Sequence, residues 1–175
     1  AAESAVHLVG SDSRFTIYSH DPAQYPAVPG FEGEADIEIK LDRLQEGIEQ
    51  TVFAAAKEST RYALNGILWE VTGKKLAIVA TDGRRLSKAN ITLEKVGTLP
   101  EGRIIVPAKT MSILDKISAQ NDAVAGVRFV NNQIALTCGD TVVSSNLVEG
   151  NFPKYEDIIP TDYQKKLTLP TGPAL

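Results

Sequence analysis

The chain has 175 residues, 43% of them apolar and 23% charged, enough to bury one good core and part of a second. Its net charge of −4 argues against a protein that gains DNA affinity by neutralising many phosphates, yet leaves room for one that surrounds DNA on weak contacts. No run of about 18 apolar residues and no secretory pattern is present, so a soluble, cytoplasmic protein is expected.

In chain order, AVHLVG and RFTIYS read as a hairpin, with Phe15 and Ile17 alternating with Thr16 and Tyr18. The stretch from Pro22 to Gly33 has the composition of a linker or an ordered crossing, so residues 1–30 are expected to belong to a different domain from residues 31–159. DIEIKL then alternates as a strand does. DRLQEGIEQTVFAA follows as a helix, with Leu41, Leu44, Ile48 and Val52 on one face. GILWEV, KLAIVAT and RRLSKANITL, separated by turns at TGK and Asp82-Gly83, read as an antiparallel meander. After the turn at Leu99-Pro100-Glu101-Gly102, RIIVP is a strand and AKTMSILDKIS a helix, with Pro107 at its start where a missing N–H does no harm. AVAGVRFV, QIALTC and TVVSSNLV, with turns at Asn131-Asn132 and Gly139-Asp140, complete a second set.

Two copies of one strand, helix, three-strand unit thus fill residues 36 to about 149. The expected class is α+β, with two helices side by side on one face of antiparallel sheet. Their outward sides carry polar stripes: Lys109, Ser112 and Lys116 on the second helix, and Arg43, Glu46, Gln50 and Lys57 along and just beyond the first. Such a stripe reads either as a solvated face or as a shallow phosphate-contacting surface. Cys138 has no second cysteine to pair with and lies in the strand-like TCGDTVV, where a buried structural thiol is expected. The histidines, His7 and His20, sit near the N-terminus, and no His, Cys or acidic cluster has metal-site spacing, so no metal or cofactor is expected.

Four strings, STRYALNGILWEV, LAIVATDGRRLSKA, RIIVPAKTMSIL and SNLVEGNFPKYEDIIP, resemble in order and spacing the middle domain of the bacterial DNA polymerase III beta subunits, the sliding clamps. SRFTIYSHDPAQYPAVP is similar to the end of that family's first domain and TDYQKKLTLP to the strand that opens its third. Residues 160–175 are therefore expected to begin another domain, and the chain to be a fragment of a longer protein. The resemblance implies the DNA-clamp fold, itself built from a doubled unit, and a head-to-tail homodimeric ring with helices lining the hole. It implies a non-catalytic subunit of the polymerase III holoenzyme that encircles double-stranded DNA without sequence preference. Partners implied are the polymerase III alpha subunit, the clamp loader and other replication and repair proteins carrying a clamp-binding motif.

By the same resemblance Leu64, Thr81, Gly83, Arg84, Arg85, Leu86, Pro153 and Ile158 fall where the family has its partner-peptide cleft. Leu64, Leu86, Pro153 and Ile158 would form an apolar pocket for Leu or Phe side chains, with Gly83 allowing close backbone approach and Arg84 on the rim. From the residues alone, Thr81-Asp82-Gly83 is an ordinary hairpin turn, and Leu64 and Leu86 read as core. For DNA the resemblance points to Arg61, Tyr62 and Lys109. Ala108, Asp157, Glu58 and Ala63 depart from the family pattern, removing positive charge or stacking surface, and imply a weaker grip on DNA. Two other readings are an enzyme using Asp82, Arg84, Arg85 and Ser87 on a phosphate, which lacks a general base and a phosphate-cradling loop, and a non-replicative β-rich binding or scaffold domain. Asn90-Ile91-Thr92 matches a glycosylation sequon by coincidence if the chain is not exported.

Overall fold

The computed structural model describes residues 4–25, 30–57, 62–100, 103–120, 122–160, 162 and 164–168. It divides into two compact units, Ala1–Gly30 and Phe31–Leu175. In the first, β1 (Ser4–Val9) and β2 (Arg14–Ser19) form an antiparallel hairpin. Opposed residues share a face of the pleat, so the pairs Val6 with Ile17 and Leu8 with Phe15 make one apolar face, and all four side chains are at least half exposed.

The second unit runs β3 (Ile37–Lys40), α1 (Leu41–Glu49), β4 (Gly66–Thr72), β5 (Lys75–Thr81), β6 (Leu86–Thr92), β7 (Lys95–Val96), β8 (Ile104–Pro107), α2 (Ala108–Leu114), β9 (Val124–Val130), β10 (Gln133–Cys138) and β11 (Thr141–Asn146). The strand, helix, three-strand order therefore occurs twice, with the two-residue β7 added after the first copy. The strands form two sheets rather than one continuous surface, in the orders β11-β10-β9-β3-β7 and β6-β5-β4-β8. The lone strand of each unit has joined the meander of the other: β3 pairs with β9, and β8 with β4, both antiparallel. Each helix begins on the residue after its strand ends and is the crossover from one sheet to the other. A helix in that position seals the gap between two inner faces with a single apolar stripe.

The inner faces meet in one core. Ile37, Ile39, Val127, Leu136 and Cys138 come from the first sheet, Ile67, Trp69, Ile78, Ile104 and Val106 from the second, and Leu44, Ile48, Met111 and Leu114 from the helices. Burial there raises the pKa of the Cys138 thiol above its ordinary value, as suits a structural cysteine. The helices lie side by side, and Gln45 Nε2 of α1 donates to the carbonyls of Asp115 and Ile117 beyond the end of α2.

Both helices are shorter than their apolar periodicity predicts. Helix α1 ends at Glu49, where Thr51 Oγ1 donates back to the Gly47 carbonyl at 2.7 Å and a 3-10 turn at Val52–Ala54 takes over. Thr51 and Val52 are β-branched and favour that change. Pro107 is the last residue of β8 and the N-cap of α2, with φ −54° and ψ 136°, so it precedes the first turn instead of occupying it. The Asn131-Asn132 turn has positive φ at both residues, 47° and 63°, the geometry that a two-residue hairpin needs.

Candidate functional site

Strand period dictates that Leu68, Val79 and Ile105 point away from the core, to the outer face of the four-stranded sheet. They are nevertheless buried, under Ala63, Phe152 and Tyr155, with Leu86 and Val148 packed at the margin. The roof is the segment after β11, tied down by backbone bonds. Val148 N–H donates to the Ile105 carbonyl at 2.8 Å, and Arg103 Nη1 donates to the carbonyls of Phe152 at 2.7 Å and Pro153 at 3.4 Å. The Tyr155 hydroxyl donates to Glu70 Oε2 at 2.5 Å and accepts from Lys88 Nζ at 3.1 Å, and that ammonium stands 4.8 Å from the ring centroid. Burial, then the Glu70 carboxylate, pushes the phenol far above its ordinary pKa, so the hydroxyl remains a proton donor.

At one end of this face the chain reverses between Thr81 and Leu86, which are paired across β5 and β6. Thr81 Oγ1 donates to the Arg85 carbonyl at 2.7 Å and accepts from Gly83 N–H at 3.1 Å. Asp82 Oδ1 accepts from the N–H groups of Arg84 and Arg85 at 2.9 and 3.0 Å, and Oδ2 accepts from Arg85 Nε at 3.0 Å. Those backbone bonds, with the Arg85 charge, hold the Asp82 carboxyl below its usual range. Gly83 takes φ +87° with open space where a Cβ would be. Arg85 is turned back, 5.9 Å from the Phe53 ring centroid, while Arg84 is exposed.

Of the residues singled out from sequence, Thr81, Gly83, Arg84, Arg85 and Leu86 are thus brought together on one hydrogen-bonded turn. Leu86 reaches the roofed cluster, and half-buried Pro153 and 61%-exposed Ile158 stand on the roof segment, on either side of Tyr155. Leu64 is only 6% exposed and packs as core in the 3-10 turn Tyr62–Asn65. Arg61 and the departure Glu58 lie outside the described residues, as does the side chain of Tyr62. Lys109 is exposed on α2 in line with Ser112 and Lys116, beside a concavity of about 510 Å³ that Phe53, Lys57 and Ala108 also line. On α1 the stripe neutralises itself: Arg43 pairs with Glu46 at 3.0 Å, and Gln50 Nε2 donates to the same carboxylate at 3.3 Å. Among the described residues no group of three or more His, Cys, Asp or Glu is arranged to hold a metal ion, and no helix is long and apolar enough to cross a membrane.

The family model for the DNA polymerase III beta subunit, central domain, matches residues 38–154. The chain belongs to that family. A beta sliding clamp of Haemophilus influenzae is 34% identical over 153 residues, covering 87% of this chain and 41% of the relative. A beta sliding clamp of Staphylococcus aureus is 30% identical over 165 residues, covering 94% and 43%. The chain therefore spans about two fifths of the length of the curated relatives it matches. Among solved structures, a sliding clamp from Bacillus subtilis superposes with a TM-score of 0.77 at 28% identity, over 93% of this chain and 42% of that one. The beta subunit from Pseudomonas aeruginosa does so with a TM-score of 0.74 at 32% identity, over 91% and 44%.

Within this beta-subunit domain, the residues that reading by motif passed over are Phe152 and Tyr155, which roof the outer face and carry Pro153 between them. Their signal was available: aromatics make up 6% of the chain, and two of them fall within NFPKY, an otherwise polar segment with no strand or helix pattern.

Proposed function

We propose that residues 31–159 are the middle domain of a sliding clamp, a non-catalytic processivity factor whose complete form encircles duplex DNA and tethers the replicative polymerase. Family membership across residues 38–154 is the observation that carries this reading. On it, residues 1–30 end the preceding domain and residues 160–175 open the next, the complete protein closes as a homodimeric ring, and the setting is cytoplasmic.

The partner site of this reading is the outer face between the Thr81 to Leu86 turn and the roof segment. Leu86, Pro153 and Ile158 would meet the apolar side chains of a partner peptide, Arg84 would stand at its rim, and Gly83 would let its backbone approach. Leu64 would support that wall from behind, because it is buried. Partners would be the polymerase III alpha subunit, the clamp loader and other proteins with a clamp-binding motif. DNA contact would come from Arg61, Tyr62 and Lys109, and it would be weak, since the α1 stripe neutralises itself and the net charge is −4.

The test places the complete protein on circular primed DNA and then linearises the circle. A topological clamp is lost from the ends at once, whereas retention on linear DNA at the same salt overturns the proposal.

A further inference from the structure

We propose that Tyr155, Glu70 and Lys88 form a positioning latch that sets the affinity of the partner cleft from underneath it. The inference rests on the cleft reading above and adds residues that the peptide itself need not touch.

Tyr155 is 2% exposed, and its hydroxyl is gripped from two sides on the outer face, by a carboxylate at 2.5 Å and an ammonium at 3.1 Å. Hydrogen bonds to charged groups are the stronger kind, and a buried hydroxyl deprived of them is costly. The partners come from different strands, Glu70 from β4 and Lys88 from β6, so a single hydroxyl pins the roof segment to opposite sides of the intervening β5. Pro153 and Ile158, the two roof residues assigned to the cleft wall, lie two residues before and three after the pin. Ile158 N–H in turn donates to the Tyr155 carbonyl at 3.1 Å, in the 3-10 turn Tyr155–Asp157. On the other flank the Arg103 guanidinium holds the carbonyls of Phe152 and Pro153. The span from Phe152 to Tyr155 is therefore fixed at both ends, with Ile158 tied to its end by the 3-10 turn, and preorganisation of such a span converts into affinity for what docks on it.

The test uses three variants, Tyr155→Phe, Glu70→Gln and the double change, in two measurements. Amide exchange of Ile158 is followed by NMR, and binding of a labelled C-terminal peptide of the polymerase III alpha subunit by fluorescence anisotropy. Tyr155→Phe keeps the ring in the apolar cluster and removes only the pin. It is expected to speed Ile158 exchange and to weaken the peptide by about tenfold each, and to lower the melting temperature of the domain by only a few degrees. Glu70→Gln retains a carbonyl acceptor but loses its charge, so its exchange rate and affinity should fall between those of the original and Tyr155→Phe, and in the double variant it adds nothing to Tyr155→Phe. Unchanged Ile158 exchange in Tyr155→Phe overturns the latch whatever the peptide does. Faster exchange with unchanged peptide affinity overturns its link to the cleft. Failure of the original protein to bind the peptide, with Leu86→Asp making no difference, overturns the cleft reading and the coupling with it, while the exchange result still decides whether the pin exists.

Discussion

Gln45 donates through one amide nitrogen to both Asp115 and Ile117, at 3.0 and 2.9 Å, and so stitches the body of α1 to the chain leaving α2. The site is partly buried, and the carbonyls it satisfies belong to residues just past a helix end, where backbone acceptors run short of partners. Gln45→Ala is expected to cost about 1–2 kcal/mol in urea unfolding followed by circular dichroism. Gln45→Glu at neutral pH, which sets a carboxylate against two carbonyls, should cost more than the alanine. A Glu variant as stable as the original would mean that this bond does not hold the helices together.

Asp82 orders the turn through charge. Its carboxyl lies below the ordinary 3.8 because it accepts the Arg84 and Arg85 N–H groups and faces the Arg85 guanidinium. A lowered folded value means the carboxylate favours the ordered turn above about pH 4, and this contribution disappears as pH falls through the lowered value. The Arg84 and Arg85 amide resonances should therefore move together with the Asp82 carboxyl, with a shared midpoint below 3.8. In Asp82→Asn that movement should vanish. A midpoint at or above 3.8 would contradict the hydrogen bonding described.

What could be read from the residues was local. Ile37 and Ile39 announce a strand with one buried face, and Asn131-Asn132 and Asp82-Gly83 announce their turns, because alternation and positive φ are properties of a few adjacent residues. The exchange of β3 and β8 between units was not legible. Ile37 with Ile39 and Ile104 with Val106 offer the same alternation, so either lone strand satisfies either meander locally, and only the crossover of each helix between sheets decides. For the same reason the outer face of the second sheet escaped notice. Leu68, Val79 and Ile105 extend apolar runs that read as wholly internal, and the roof over them comes from residues 147–158, where no periodicity marks burial. The turn residues of the candidate cleft were found by motif, whereas Tyr155, Glu70 and Lys88 are joined only by the fold.

Gly66 at the start of β4 faces the roofed cluster. A Cβ there would collide with Ile105 Cγ2 and come within 3.2 Å of both the Val106 carbonyl and Val148 Cγ2. The first is a branched buried side chain and the second is backbone, so neither yields cheaply. Gly66→Ala is expected to destabilise by about 1–3 kcal/mol and, by lifting Val148, to weaken peptide binding as well. Gly73→Ala is the matched control: φ is +54° but nothing lies within 4 Å of the new carbon. That variant should lose only about 1 kcal/mol of conformational energy and leave peptide affinity untouched.

Trp69 sits at 1% exposure in the main core, and its indole Nε1 has no hydrogen-bond partner among the described residues. A buried orphan donor costs about 1–3 kcal/mol, comparable to the packing lost when indole becomes phenyl. The two effects oppose each other in Trp69→Phe, so its stability should fall within about 1 kcal/mol of the original, while Trp69→Ala, which keeps only the cavity, should lose about 3–5 kcal/mol. Trp69 is the chain's single tryptophan, so both variants must be unfolded against far-ultraviolet circular dichroism and not fluorescence. A Trp69→Phe variant as damaged as the alanine would show that the indole N–H is satisfied in solution.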